Sequence, residues 1–242
     1  LNFVYSHLLT NPRGGDVSPT DLTVVPQVAE KWEIENDKTY LFHLRKGVKF
    51  QNKPPVNGRE LVAEDVKYSI DRVRDKQTGS PVRDTYQSVE AVEVVDRSTV
   101  RLRLSKPDGS LLSLMTGRAS FVVAKEEVEK HGNLQKVAVG TGPFKLAEHV
   151  PGDFARFVRN EHYYEPGLPY LDGFTIKVIK DESSRLAALR KGTVDLTWIK
   201  AVEIEELARR ERGLAFSETP EARHLYIWLN TKEPPFNNVK LR

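Results

Sequence analysis

Cysteine is absent from the 242 residues of this chain, and methionine occurs once, at Met115. Without cysteine, the chain has no disulfide, no catalytic thiol and no thiolate metal site. Long hydrophobic runs are also missing, since no stretch approaches the roughly 20 apolar residues that a membrane-spanning helix needs. Hydrophobic residues make up 39% and charged residues 29% of the sequence, which is typical of a globular protein with a core of its own.

An excess of charge of one sign is also lacking. Lysine and arginine total 37 against 34 acidic residues, a formal net charge of +3. The basic residues are spread along the sequence, and the one short cluster, at residues 209–212, is interpreted as the solvated end of a helix. We therefore expect no nucleic-acid partner.

Catalytic motifs are missing as well. The stretch Gly140-Thr141-Gly142 begins like a dinucleotide fingerprint, but Lys145 occupies the position of the third glycine. No Walker motif and no G-x-S-x-G elbow occurs. No two of the six histidines stand three or four residues apart, so we interpret each as a surface or packing residue. The sequence predicts no enzyme, no catalytic residue, no metal site and no cofactor.

Two pairs of adjacent acids, Glu64-Asp65 and Glu126-Glu127, open predicted helices. Negative charge is favoured at a helix N-terminus, and charged side chains are normally solvated. We interpret both pairs as solvated groups that stabilise the first helical turn.

Alternating apolar and polar residues predict strands, whereas apolar residues at spacings of three and four predict helices. Two hairpins are expected, Lys31–Glu35 with Thr39–Leu44 and Val89–Val95 with Thr99–Leu104. Helices are expected at Val62–Val73, Ser110–Met115, Lys125–His131, from Asp181 to Gly192, and at Val202–Arg210. Further strands are expected after Gly140–Phe144 and at Phe154–Val158, Phe174–Ile179, Val194–Trp198, Leu214–Ser217 and Arg223–Asn230. This mixture predicts an α/β (mixed α+β) fold.

The last of these strands has two different faces. Leu225, Ile227 and Leu229 share one face, and the opposite face carries His224, Tyr226, Trp228 and Asn230. Such a strand fits the wall between a core and a ligand pocket, because aromatic groups with polar tips both stack and hydrogen-bond. It fits equally a half-buried sheet whose outer face packs under a helix.

Seven segments taken together resemble the family 5 extracellular solute-binding proteins of ABC importers, the oligopeptide- and dipeptide-binding group. Each segment alone is weak evidence for the family, but the seven occur in the family's order and span nearly the whole chain. They are Asp21–Trp32, Thr39–Phe50, Ala63–Val66, Gly140–Leu146, Arg159–Tyr164, Arg185–Gly192 with Val194–Leu196, and Leu229–Thr231 with Pro234–Phe236. The sequence departs from the family at Val62, where members usually carry a Thr or Ser helix cap.

The resemblance implies a periplasmic-binding-protein-like (type II) clamshell, of which this chain is expected to be the amino-terminal half. Residues 1–10 and 137–242 would form lobe I, with an inserted α+β domain at 11–136. The opposing, C-terminal lobe is expected to be missing. Location in the periplasm, or on the outside of the membrane as an anchored lipoprotein, is also implied.

The implied activity is capture of di- or oligopeptides, or another small solute, in a hinged cleft. The loaded protein would act as a monomer and deliver its solute to permease subunits in the membrane. Candidate ligand contacts are Tyr226, Trp228 and Asn230 on the strand face and Arg118 in the inserted domain, which could instead be an ordinary exposed loop residue. The turn Gly140–Gly142 is either structural or a contact. Nickel chelates, oligosaccharides, opine-like solutes and a sensor domain of a regulator remain alternatives.

Overall fold

The computed structural model describes residues 3–14, 16–18, 20–134, 138–199, 213–217 and 227–241. The chain divides into two compact units, each of which is treated by itself. The first unit comprises residues 1–17 and 21–197, and the second comprises 18–20 and 198–242. The division into lobe I and an inserted domain stays a prediction.

A four-stranded antiparallel sheet dominates the first unit. A short strand pair, β1 (Leu9–Thr10) with β2 (Val25–Pro26), precedes it. The strands of the sheet are β3 (Ala29–Asn36), β4 (Thr39–Leu44), β5 (Val89–Asp96) and β6 (Thr99–Leu104). They pair in the order β3-β4-β6-β5, so both predicted hairpins are confirmed.

Local sequence accounts for both hairpins. In each turn a side-chain oxygen accepts a backbone N–H two residues on: Asn36 Oδ1 from Lys38 at 2.9 Å, and Asp96 Oδ1 from Ser98 at 2.7 Å. Such turns are favoured by Asn and Asp. The alternate residues that face inward are buried: Tyr40, Phe42, Leu44, Val100, Leu102 and Leu104.

Helix α1 (Ala63–Arg74) covers this sheet with Val66 and Ile70 buried beneath it, which confirms the predicted helix. Its N-cap is Val62, whose side chain has no oxygen to accept a backbone N–H. The carboxylate of Asp65 compensates in part by accepting the Val62 N–H at 2.9 Å. This is one half of a capping box.

The remaining regular elements follow the predicted pattern. Short helices form at α2 (Leu111–Leu114) and α3 (Lys125–His131). A three-stranded antiparallel sheet joins β7 (Phe144–Val150), β8 (Phe154–Arg159) and β9 (Gly173–Lys177). Helix α4 (Glu182–Arg190) begins at Asp181, whose side chain accepts the Ser184 N–H at 2.8 Å. Single 3₁₀ turns lie at Lys76–Thr78, Arg83–Tyr86, Arg118–Ser120 and Val239–Leu241.

Three predicted strands are wrong where the structure describes them. Residues 194–198, 214–217 and 227–230 have irregular backbone. A strand needs a neighbour to pair its backbone groups, and no ladder involving these segments occurs in the described ranges. Residues 223–226 and the predicted helix Val202–Arg210 lie outside the described residues.

Candidate functional site

The segment Phe3–Leu9 is hydrogen-bonded to three parts of the first unit that are far from it in sequence. Gly142 N–H donates to Val4 O at 2.7 Å, and Val122 N–H donates to Ser6 O at 3.0 Å. Val28 N–H donates to His7 O at 3.1 Å. The segment is thereby fixed along its length by main-chain hydrogen bonds.

Two glycines make this close passage possible. A Cβ on Gly140 would overlap the carbonyl oxygen of Val4, and a Cβ on Gly142 would lie 2.7 Å from the carbonyl oxygens of Phe3 and Val4. Neither glycine is among those with a positive φ angle. The turn Gly140–Gly142 therefore needs glycine for close backbone approach, which is a structural role.

Glu127 of α3 is fully buried beside this segment, so its interpretation as a solvated group is wrong. Its carboxylate accepts the Tyr5 hydroxyl at 3.2 Å and the Val139 N–H at 3.2 Å. Burial raises the pKa of Glu127 to about 7, because the charged form loses its hydration. Burial also raises the pKa of the Tyr5 hydroxyl above its usual range.

The neighbouring acids are also paired with protein groups. Arg59 donates to Asp65, which is buried, at 2.6 Å and to Glu126 at 2.5 Å. These hydrogen bonds, the one to Asp65 first, raise the pKa of the Arg59 guanidinium above its usual range. The network connects the start of α1 to α3. Asp65 and Glu126 therefore stabilise the fold rather than simply facing solvent.

Arg118 lies at the start of the 3₁₀ turn Arg118–Ser120, and its side chain is exposed. In the part of the chain that the structure describes, its guanidinium has no hydrogen-bond or ion-pair partner. The two following residues, Ala119 and Ser120, are buried. Among the described residues, the Arg118 guanidinium is therefore exposed and unpaired, while the other two residues of its turn are buried.

His7 packs against Phe121, the residue that follows the 3₁₀ turn Arg118–Ser120. Its ring stacks on Phe121, with centroids 4.6 Å apart and planes at 24°. Burial lowers the pKa of His7 to about 4, so the imidazole is neutral at pH 7. His7 is therefore a packing residue, in agreement with the interpretation from sequence.

A second feature of the first unit is an open cleft of about 490 Å³. Most of its lining is apolar, and the lining also includes Arg13, Gln27, Tyr163 and Glu165. The Tyr163 hydroxyl donates to Glu165 at 3.0 Å. Arg118 does not line this cleft, so the two features are separate.

The predicted strand-face residues belong to the second unit, whereas Arg118 belongs to the first. Tyr226 and His224 lie outside the described residues. Trp228 is 88% exposed and Ile227 is 85% exposed. The expected contrast between an apolar buried face and an aromatic face is therefore wrong for residues 227–230, because both sides are open to solvent. Asn230 is also exposed, and its Oδ1 accepts the Lys232 N–H at 3.2 Å.

Within the described ranges, no three His, Cys, Asp or Glu side chains are grouped as metal ligands would be. None of the helices in those ranges is long and apolar enough to cross a membrane.

The family model for bacterial extracellular solute-binding proteins, family 5 (middle), matches residues 23–242. The chain belongs to this family. The family expected from the seven sequence segments is confirmed, and with it the class of ABC-importer binding proteins.

Two curated relatives illustrate the match. The peptide transport periplasmic protein SapA of Salmonella typhimurium is 33% identical over 247 residues, covering 94% of this chain and 45% of SapA. The glutathione-binding protein GsiB of Salmonella choleraesuis is 29% identical over 224 residues, covering 92% of this chain and 43% of GsiB. The chain thus spans less than half the length of these relatives.

A solved structure with the same fold is MoaA from A.tumefacien R10 in complex with mannopinic acid. Its TM-score is 0.83 at 25% identity, covering 99% of this chain and 48% of MoaA. The mixed α/β fold of periplasmic binding proteins is therefore confirmed, as a partial domain. These three proteins are described with different solutes, namely peptides, glutathione and mannopinic acid. Membership of the family therefore establishes the class of protein and leaves the solute open.

Sequence reasoning missed the burial of Glu127 and the hydrogen bond that the buried Tyr86 hydroxyl donates to Ala119 O, next to Arg118, at 3.3 Å. Helix α3 has only seven residues, too few to reveal which face is buried. Tyr86 and Ala119 are 33 positions apart in the chain. No local pattern reports such a pairing.

Proposed function

We propose that the protein containing this chain captures peptides outside the cytoplasm and delivers them to the permease subunits of an ABC importer. The family match over residues 23–242 carries this proposal. The peptide and glutathione specificities in the names of SapA and GsiB support peptides as the solute class. We place the protein in the periplasm or, as a lipoprotein, on the outer side of the membrane, acting as a monomer.

The proposed mechanism is closure of a hinged clamshell. Residues 1–10 and 137–242 form lobe I in this proposal, residues 11–136 form the inserted domain, and the opposing lobe belongs to the remainder of the protein. A solute that contacts both lobes stabilises the closed state over the open state. The permease then recognises the closed form, and the binding protein performs no chemistry on its solute.

Four side chains are proposed as solute contacts. Arg118 supplies an exposed guanidinium that can bind a carboxylate through two parallel hydrogen bonds. Trp228 and Tyr226 supply aromatic surface for stacking, and Asn230 supplies an amide that both donates and accepts. The Arg118 turn and the segment 226–230 are proposed as separate contacts, so each is tested by its own variant.

A thermal-shift experiment on the full-length protein tests the proposal. The solutes are a pool of tripeptides, glutathione, mannopinic acid, a nickel–histidine chelate and an oligosaccharide. A solute that binds only the folded state raises the melting temperature as its concentration increases. We expect the peptides to raise it. A rise with only mannopinic acid, the nickel–histidine chelate or the oligosaccharide, or with none of the solutes, would contradict peptide capture.

A matched pair of tryptophan variants tests the segment 226–230. Trp228 is 88% and Trp198 83% exposed, so their replacement by alanine removes similar surface. We expect Trp228→Ala to abolish the peptide-dependent shift and Trp198→Ala to leave it unchanged. Equal shifts in the two variants would remove Trp228 from the solute contacts.

A further inference from the structure

Strand β5 forms one edge of the four-stranded sheet, because the order β3-β4-β6-β5 leaves it paired with β6 alone. Within the described ranges, no strand pairs with its other side. The main-chain groups on the free side of an edge strand can pair with a strand of another molecule, so native proteins block such edges. Four of the eight residues of β5 are valine, which favours strand pairing.

The alternation of the ladder shows which groups of β5 face the free side. Leu104 N–H in β6 donates to Lys38 O at 2.8 Å, so the main-chain groups of Leu104 point towards β4. Leu102 has the same orientation, because every second residue of an antiparallel strand faces the same neighbour. Val89 lies opposite Leu104 and Val92 lies opposite Leu102. In pairs of this kind both residues point their main-chain groups away from each other, so the carbonyl groups of Val89 and Val92 face the free side.

Two cationic side chains of α1 bind these carbonyl groups. Lys67 Nζ donates to Val92 O at 2.9 Å, and Arg74 Nη2 donates to Val89 O at 2.6 Å. Asp71 lies one helical turn from each cation and pairs with Lys67 at 2.7 Å and with Arg74 at 3.1 Å. The helix therefore covers the free side of β5 with two cations that a carboxylate of the same helix orients.

A β-bulge lies at the same place. The pairing of β5 with β6 skips Glu90, which is therefore the extra residue of the bulge. Arg74 Nη2 also donates to Glu90 O at 3.0 Å, so one guanidinium nitrogen binds two successive carbonyl groups. Bulges and cations at an edge are both features that prevent pairing between edge strands.

We propose that Lys67 and Arg74 block the free edge of β5, and that without them this edge pairs with the β5 edge of a second copy of this chain. A second copy fits because antiparallel pairing of two identical edges is self-complementary about a two-fold axis. The proposal goes beyond solute capture and holds whichever solute the protein carries. It gives a physical reason for the monomeric state proposed above.

The test removes the blocking side chains from the full-length protein without leaving a charge unpaired. The triple variant Lys67→Met, Asp71→Asn and Arg74→Met replaces the whole ion-paired group, and methionine retains a high helix propensity. The control is Lys125→Met with Glu129→Gln, which removes an ion pair of 3.0 Å from α3. Among the described residues, Lys125 donates to no carbonyl group of a strand.

Analytical ultracentrifugation over a range of protein concentrations measures association. We expect the sedimenting mass of the triple variant to double as its concentration rises, whereas the wild type and the control stay monomers. A triple variant that is folded by circular dichroism and stays a monomer would overturn the proposal. Association of the wild type, or equal association of the control, would overturn it as well.

The single variant Lys67→Met decides the question if the triple variant does not fold. The Lys67 side chain is 39% exposed, so its replacement leaves the core intact. We expect this variant to associate in the same way but more weakly, because Arg74 still blocks part of the edge. A Lys67→Met protein that stays a monomer at every concentration would then overturn the proposal.

Hydrogen exchange at low and high protein concentration locates the contact. In the triple variant, the amides of residues 89–96 should exchange about tenfold more slowly in the associated state, and those of the opposite edge strand β3 should be unchanged. Slower exchange in β3, or in neither strand, would overturn pairing through β5. The rise in melting temperature with peptides should be the same in all these variants, so failure of this proposal and failure of peptide capture are distinguishable.

Discussion

The two sheets of the first unit are both antiparallel, yet they differ greatly in burial. The four-stranded sheet has α1 over its inner face, and residues such as Phe42 are 0% exposed there. In the three-stranded sheet, Val150 remains 39% and Ile176 45% exposed. Both sheets have alternating sequences. Alternation therefore predicts a strand and its apolar face, whereas burial also requires a second layer of structure packed on that face.

The largest loss of stability is expected from truncating a core side chain of the four-stranded sheet. Phe42→Ala is expected to cost about 3–5 kcal/mol, because it removes buried surface and leaves a cavity. Ile176→Ala in the three-stranded sheet should cost less than about 1 kcal/mol of stability, since the Ile176 side chain is already partly exposed to solvent. Urea unfolding of the full-length protein checks both, and similar costs would mean that the two sheets are equally covered.

The second prediction concerns the close approach of the segment Phe3–Leu9. Gly140→Ala is expected to destabilise by about 3 kcal/mol or more, because the new Cβ overlaps the Val4 carbonyl and backbone cannot easily move away. Gly109→Ala is the control, since no heavy atom lies within 4 Å of the place that its new methyl carbon would occupy. The same unfolding measurement applies, and a Gly140→Ala protein as stable as Gly109→Ala would contradict the close packing.

The third prediction is a pH dependence centred on Glu127. Its pKa is about 7 in the folded protein against a reference value of 4.5, because burial raises it by more than the hydrogen bonds from Tyr5 and Val139 and the Lys53 cation lower it. The associated stability is fully present below about pH 4.5 and is lost as the pH rises through about 7. Glu127→Gln cannot ionise, so between pH 5 and 8 it should gain roughly 2–3 kcal/mol relative to wild type.

Urea unfolding at the two pH values measures this gain. Glu129→Gln on the same helix is the control, because Glu129 is exposed and pairs with Lys125 at 3.0 Å. A Glu127→Gln protein that follows the wild-type pH dependence would show that another group is responsible.

The smallest expected effect is a gain at the start of α1. Val62→Thr adds the missing side-chain acceptor at an N-cap whose extended backbone already suits it. We expect about 0.5–1 kcal/mol of added stability, because a threonine cap satisfies a free N–H of the first turn. A shift of the unfolding midpoint measures it, and no gain would mean that the N–H groups of the first turn need no side-chain acceptor at residue 62.

Sequence alone predicted what depends on neighbours in the chain. The turn residues Asn36 and Asp96 identified both hairpins, and the spacing of Val66 and Ile70 identified α1. Family resemblance identified the class of protein. The strand predicted at Val194–Trp198 failed because strand pairing depends on a distant partner that local alternation does not reveal.

The candidate site was less predictable than the fold. Arg118 could be selected as an exposed cation, but the hydrogen bond from the Tyr86 hydroxyl to Ala119 O, 33 positions away in the chain, is evident only in the folded structure. The same is true of Glu127, which has the sequence context of a solvated helix-opening acid and the surroundings of a core residue. Long-range contacts decide both cases.

Native mass spectrometry of the full-length protein mixed with a tripeptide pool tests the central claim of solute capture most directly. The account predicts a one-to-one complex whose added mass equals an unmodified peptide, abundant in the wild type and in Trp198→Ala and depleted in Arg118→Ala and Trp228→Ala. The absence of any peptide complex in the wild type, or recovery of hydrolysed peptide, would contradict it.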